Sequence, residues 1–196
     1  AFINVKMLDT IRKIELDGDY GQYFEKTEYC LFTKKVLMKK KYDEDTLYLH
    51  SDTVISHKDS TQTRIVKAFH KVKFYKTDFQ GLCDSLVYTL KDSSISLYYN
   101  PIIWAEKNQI TGDFIKLETS ENEIKKIIIE KSAFLVEQDE VSTQFNQVKG
   151  ANMVGYIEKG YLKRLDVTKN SETFYYIRDE NELIGVNRAI CENMTV

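Results

Sequence analysis

Apolar and polar residues alternate one by one along much of this chain. Thr46-Leu47-Tyr48-Leu49-His50 puts Leu47 and Leu49 on one face, and Lys71-Val72-Lys73-Phe74 sets Val72 and Phe74 against two lysines. Ser94-Ile95-Ser96-Leu97-Tyr98-Tyr99 aligns Ile95, Leu97 and Tyr99, and Leu165-Asp166-Val167-Thr168 reads the same way. A period of two marks a strand buried on one side. Ile124 to Glu130 also offers a helical face through Ile124, Ile127 and Ile128. Its counterpart in the repeat described next, Leu162 to Thr168, alternates, so both are read as strands. Polar stretches such as Tyr42-Asp43-Glu44-Asp45, His57-Lys58-Asp59-Ser60 and Arg178-Asp179-Glu180-Asn181 separate the runs. Short strands with turns roughly every 8 to 12 residues predict an all-β fold.

The alternation is overlaid by a longer period. Asn108 to Leu117 reads NQITGDFIKL, and Asn146 to Gly155 reads NQVKGANMVG, 38 residues later. A small residue followed by Asp, or its degenerate counterpart, recurs as Gly18-Asp19, Ser51-Asp52, Cys83-Asp84, Gly112-Asp113, Gly150-Ala151 and Gly185-Val186, at spacings of 33, 32, 29, 38 and 35. Repeats of this length read as stacked units, each burying its apolar face against its neighbours. The expected architecture is an open-ended stack of paired antiparallel sheets, each repeat of about 29 to 38 residues adding two or three strands. The small residue is expected where a strand bends sharply or lets the facing backbone come close.

Composition supports the strand reading. Thirteen Tyr and ten Phe accompany a single proline, Pro101, and aromatic and β-branched side chains suit pleated surfaces. The 196 residues contain no Pro/Gly/Ser-rich linker and are read as one domain over 1–196, a part of a longer protein. That last expectation comes from a chain that opens at Ala1-Phe2 without Met. With 28 basic and 30 acidic residues there is no basic field to attract nucleic acid. Lys39-Lys40-Lys41 is followed at once by Asp43-Glu44-Asp45 and reads as a solvated turn.

Little in the chain points to catalysis. His50, His57 and His70 have no Cys or Glu at ligand spacing, so no metal or other cofactor is expected. No HExxH, GxSxG or glycine-rich nucleotide motif occurs, and the protein is not expected to be an enzyme. A row of Asp19, Asp52, Asp84 and Asp113 is a poor glycosidase, because that chemistry needs two carboxylates in unlike environments. They are read as structural aspartates of a bend. Cys30, Cys83 and Cys191 are too widely spaced for a disulfide framework and read as buried free thiols, with a Cys83–Cys191 bridge as the alternative. The cluster Tyr98-Tyr99-Asn100-Pro101-Ile102-Ile103-Trp104 reads as core packing, or as a surface that stacks on a sugar or an acyl chain.

Four long stretches, DTLYLHSDTVISHKD (Asp45 to Asp59), AFHKVKFYKTDFQGLCDSLVY (Ala68 to Tyr88), NPIIWAEKNQITGD (Asn100 to Asp113) and FNQVKGANMVGYI (Phe145 to Ile157), resemble the OstA-like family of the Bacteroidota. That family is similar to the periplasmic lipopolysaccharide transport protein LptA and to the N-terminal domain of LptD. The resemblance runs from about Ile14 to the closing Cys191-Glu192-Asn193-Met194-Thr195. It implies a twisted, taco-like β-jellyroll with an apolar interior, a role in shielding lipid A acyl chains, and a periplasmic location extending to outer-membrane association. Lipopolysaccharide or lipid A is the implied ligand. Related β-jellyroll domains are expected partners through open edges, placed near Ile14 to Glu25 and Tyr175 to Val186. The alternation then nominates a lipid groove: Val54, Leu86, Tyr88, Ile115, Leu117 and Met153 on one wall, and Val72, Phe74, Phe134 and Val136 facing them. The competing expectation is a structural or assembly module of the cell envelope with a closed core and no lipid. A polysaccharide-binding or lyase-like β-solenoid, with aromatics and acids on its outer face, is the third.

Overall fold

The computed structural model describes residues 2–120, 123–139, 141–180 and 182–196. The chain is all-β and forms two compact units, Ala1–Pro101 and Ile102–Val196. The first holds β1 (Phe2–Asp9), β2 (Ile14–Phe24), β3 (Tyr29–Lys41), β4 (Thr46–Lys58), β5 (Arg64–Lys76), β6 (Phe79–Thr89) and β7 (Ser94–Tyr98), with one 3₁₀ turn at Glu25–Thr27. These strands pair in chain order as an antiparallel meander. The second unit holds β8 (Ile102–Ala105), β9 (Asn108–Thr111), β10 (Phe114–Ser120), β11 (Glu123–Gln138), β12 (Phe145–Glu158), β13 (Tyr161–Asp179) and β14 (Glu182–Thr195). Strands β10 to β14 form its meander. Strands β9 and β10 pair with the two halves of β11, and β8 pairs with β9.

The strands are longer than the expected short runs, up to the 19 residues of β13, because the chain bends within them instead of turning. Strands β3, β5, β11 and β13 each carry an extra residue in mid-course. Lys34-Lys35 of β3 oppose the single Asp52 of β4, and His70-Lys71 of β5 oppose Asp84 of β6. Lys131-Ser132 of β11 oppose Ala151 of β12, and Lys169-Asn170 of β13 oppose Glu192 of β14. These are β-bulges, which bend a strand and leave ladder groups unpaired. Lys34, Lys35, Lys71, Lys131, Ser132, Lys169 and Asn170 all sit at positive φ, between 53° and 65°. Each of these strands thus has two arms.

This geometry explains the repeated word. The small residue stands beside the bulge, where a larger side chain would meet the next strand. A Cβ on Gly112 would lie 2.5 Å from Ile129 Cγ2. Ser51 is fully buried there, and its hydroxyl donates to the Thr53 carbonyl at 3.0 Å. A polar residue one or two positions after it answers a bulge N–H that the ladder leaves orphaned. Asp84 accepts from the Lys71 N–H, while Asn152 Oδ1 accepts from Lys131 N at 3.2 Å and Asn193 Oδ1 from Lys169 N at 3.3 Å. The sixth word does not stand at a corner. Gly185-Val186 lies in an arm of β14, and the corner falls at Cys191-Glu192, whose Cys191 Sγ donates to the Asn193 carbonyl at 3.1 Å.

Candidate functional site

The core of each unit is the apolar side of its bent strands. In the first unit Val36, Val72 and Leu97 have no exposed surface, and Phe32, Leu49, Val54 and Leu86 are at most 6% exposed. In the second, Ile115, Ile129, Met153 and Val167 are fully buried and Leu117 nearly so. Alternation puts these residues inward for the reason seen in the sequence, and their neighbours Lys73 and Lys116 lie on the other face.

Seven of the ten expected groove residues, Val54, Val72, Phe74, Leu86, Ile115, Leu117 and Met153, are buried on the inward side. Tyr88 keeps the parity of Leu86 but is only half-buried, near the end of its arm. Phe134 and Val136 are corrections. In β11 the buried residues are Ala133 and Leu135, paired with Gly150 and Val148 of β12, so Phe134 and Val136 point outward. The run Ala133-Phe134-Leu135-Val136 is apolar in both phases, so period two could not choose between them, and the larger side chains took the weaker position. Ile127, Ile129, Leu165 and Val167 are inward residues that the same alternation reveals but the groove reading passed over.

Inside the first unit the two arms touch. Met7 Sδ of β1 lies 3.9 Å from Cys30 Sγ of β3. Near the other ends of the strands, Lys40 Nζ stands 5.0 Å from the Tyr42 ring centre and 6.0 Å from that of Tyr88. Burial pushes the Tyr42 hydroxyl above its ordinary range. The apolar face gives way to charge at the end of β4 and β5, where Glu28 pairs with Lys58 and Arg64. The Lys58 ammonium is the main reason Glu28 titrates below the usual carboxylate range. Arg64 Nη1 also reaches Ser56 Oγ at 3.0 Å, while its Nε is buried without a partner. The interior is therefore an apolar slot with an ionic rim, closed to water at its inward side chains.

Other candidates fall elsewhere. Among the described residues no group of three His, Cys, Asp or Glu is placed to hold a metal. Asp84 accepts from His70 Nδ1 at 3.0 Å, and Asp52 lies 3.5 Å from Lys71, so both pair with the neighbouring bulge, as read for bend aspartates. Cys30 and Cys83 are buried free thiols; Cys191 is free but exposed, against expectation, because it lies on the last strand. The aromatic cluster is not one platform: Ile103 is buried inward, Tyr99 is 69% exposed, and Trp104 lies on the outward face of β8, its indole N–H donating to Gln109 Oε1 at 2.9 Å. The expected edges also shift. β2 is paired on both sides, by β1 and β3, and Tyr175 to Val186 spans the β13–β14 hairpin, of which only β14 ends the ladder. No helix among the described residues is long and apolar enough to cross a membrane.

Comparison with known proteins gives three findings. No curated protein matches the chain. Among solved structures, it is similar to LptH, the LptA-homologous periplasmic component of the lipopolysaccharide transport device of Pseudomonas aeruginosa. That likeness has 14% sequence identity over 60% of this chain and 84% of the other, with a TM-score of 0.49. Residues 15–123, more than half of the sequence and including four of the repeated words, match the family described as LptA/(LptD N-terminal domain) LPS transport protein. A sequence of alternating strands bent at recurring small-residue corners is thus assigned by its own residues, and the chain belongs to the LptA/LptD N-terminal domain family of lipopolysaccharide transport proteins.

Proposed function

We propose that the inward face of the bent strands carries the acyl chains of lipopolysaccharide across the periplasm. The observation that carries this reading is the predominantly apolar character of that face within each unit, Val72 and Leu86 in the first and Ile115 and Met153 in the second, in a chain of this family. Burying an acyl chain is worth about 0.8 kcal/mol per methylene, so covering about ten offers roughly 8 kcal/mol before ordering costs. Because the inward residues are dry, an acyl chain enters by parting the arms and replacing side-chain contacts with its own. The exchange is then between two water-free states, and no single position holds the cargo tightly. Similar apolar positions on successive strands make neighbouring sites close in energy.

The closed core is kept as the second reading, because Val72, Ile115 and Met153 have no exposed surface and Met7 reaches Cys30 across the slot. Photocrosslinking separates the two. Probes at Leu86 and Ile115 are expected to label lipopolysaccharide, and probes at outward Lys73 and Lys116 are not. Equal labelling from both sets, or none from the inward set in a folded protein, leaves the structural reading.

A further inference from the structure

The outward face of the second unit is unlike an ordinary solvated sheet. In the first unit an outward row is held by charge: Lys39 Nζ reaches Glu15 at 2.8 Å and Asp17 at 3.1 Å, and Lys6 reaches Glu15 at 2.9 Å. The outward row that crosses β8, β9, β11, β12 and β13 instead reads Trp104, Gln109, Val136, Gln147, Phe174, each paired with the next by register. Across these five strands it alternates ring or apolar surface with a primary amide and holds no charge; its next register partner, Arg188 of β14, is bonded to Glu172. Tyr176 extends it, its ring edge-on to Phe174 at 5.4 Å and 79°. The neighbouring ions are engaged with each other: Glu172 accepts from Arg188 at 2.7 Å and from Lys149 at 3.4 Å.

We infer that this row binds an oligosaccharide. A sugar ring presents a C–H face that packs on an aromatic ring and a rim of hydroxyls that both donate and accept. Trp104 supplies the ring, and its hydrogen bond to Gln109 fixes the plane. That bond uses Gln109 Oε1 and leaves the Nε2 group as a donor, while exposed Gln147 offers both an acceptor and a donor. From β8 to β13 the row spans four interstrand steps of about 4.8 Å, or roughly 19 Å, which suits several linked sugars better than one. An ion-selecting ligand would find its charges already paired; a polar one finds the Gln109 Nε2 donor and the Gln147 amide between apolar surfaces. The inference extends the acyl-transport reading to the saccharide end of the same amphiphile, but it stands on different residues.

Trp104 is the sole tryptophan among thirteen tyrosines, so emission excited beyond tyrosine absorption reports on this face alone. Oligosaccharide freed of its lipid from lipopolysaccharide by mild acid is titrated into the intact chain, with calorimetry in parallel. A saturable change in Trp104 emission with measurable heat is expected. Gln147→Ala, at an exposed position, should weaken binding about fivefold, the loss of one hydrogen bond, and Trp104→Ala should abolish the heat while circular dichroism stays unchanged. Fluorescence and heat that do not respond in folded wild-type protein overturn the inference, as does binding indifferent to both substitutions. Burial of Trp104 by a protein partner without saccharide heat assigns the face to protein and overturns it too. Saccharide binding with no acyl crosslinks at Leu86 and Ile115 would refute acyl transport and leave this site standing; the reverse pattern would do the opposite.

Discussion

Gly112 tests whether the repeated corner is set by close packing. Its φ is not in the left-handed region, so alanine is conformationally allowed. The added Cβ, however, would stand 2.5 Å from Ile129 Cγ2, with the Lys131 and Phe114 carbonyl oxygens at 3.4 and 3.5 Å. Ile129 is fully buried and cannot swing into solvent. Overpacking of this kind costs about 1–3 kcal/mol, against a gain of about 0.5–1 kcal/mol from a less flexible unfolded chain. Gly112→Ala should therefore lose about 1–2 kcal/mol. With a urea m-value of about 2 kcal/mol/M, the midpoint falls by about 0.5–1 M, read from circular dichroism and Trp104 emission together. The partner substitutions give the sign. Ile129→Val keeps the Cγ2 methyl and the clash, so Gly112→Ala still destabilises. Ile129→Ala costs about 2–5 kcal/mol by itself, but removes the obstructing methyl, and in that background Gly112→Ala should become neutral or stabilising. Simple additivity in the Ile129→Ala background, or a stabilised Gly112→Ala single variant, would refute close packing as the reason for a small residue here.

Three further outcomes follow from other parts of the chain. Hydrogen bonds first from Arg178, at 2.7 Å, and then from Ser142 hold Asp139 at about 2. A depressed carboxylate contributes stability that is complete above its unfolded value of 3.8 and is lost as pH falls through about 2; Asp139→Asn should lower the melting temperature at neutral pH and flatten its decline across that window. Burial pushes the thiols of Cys30 and Cys83 up to about 11 and about 12, so a colorimetric thiol reagent at pH 8 should titrate one cysteine, Cys191, in the native protein and three after unfolding; two or more fast thiols in the native state would contradict the packing of the slot. Among the described residues strand β14 pairs only with β13 and leaves Ile184 and Ile190 64% and 66% exposed, so sedimentation should show association that grows with concentration and weakens in Ile190→Pro, and a monomer at all concentrations would count against an open edge.

What the sequence made legible was what depends on a local period. The strands of Leu47–Leu49, Val72–Phe74 and Leu165–Val167 stand where alternation put them, and the inward side of most groove candidates follows from parity alone. What it hid was the bulge. An extra residue such as Lys34 or Lys131 carries no apolar signal, and it shows only as a pair of polar residues at positive φ in the middle of a strand. Without it, a strand of 13 to 19 residues looks like two short strands and a turn, and the sixth word is sought at Gly185 instead of Cys191. The small residue was visible and its cause was not: the companion motif lies on the neighbouring strand, at Lys34-Lys35, His70-Lys71, Lys131-Ser132 and Lys169-Asn170.

That pairing bears on transport, because the corner is the part of each bent strand from which two arms diverge. Its backbone groups are bonded by side chains, Asp84 to the Lys71 N–H and Asn152 to the Lys131 N–H, where the arms are held by continuous ladder bonds. Side-chain acceptors can follow a small rotation of the corner without breaking a ladder, so the parting of arms that acyl entry requires should concentrate at these residues. Asn152→Ala leaves the Lys131 N–H without its acceptor, at a cost of about 1–2 kcal/mol. If the corner is the hinge, amide exchange at Lys131 should accelerate while exchange at Ile129 and Leu135 in the arms is unchanged, and crosslinking of lipopolysaccharide from Ile115 should rise. An increase in exchange spread evenly along β11 would mean that the substitution loosens the whole sheet, and the arms would then have no preferred place to open.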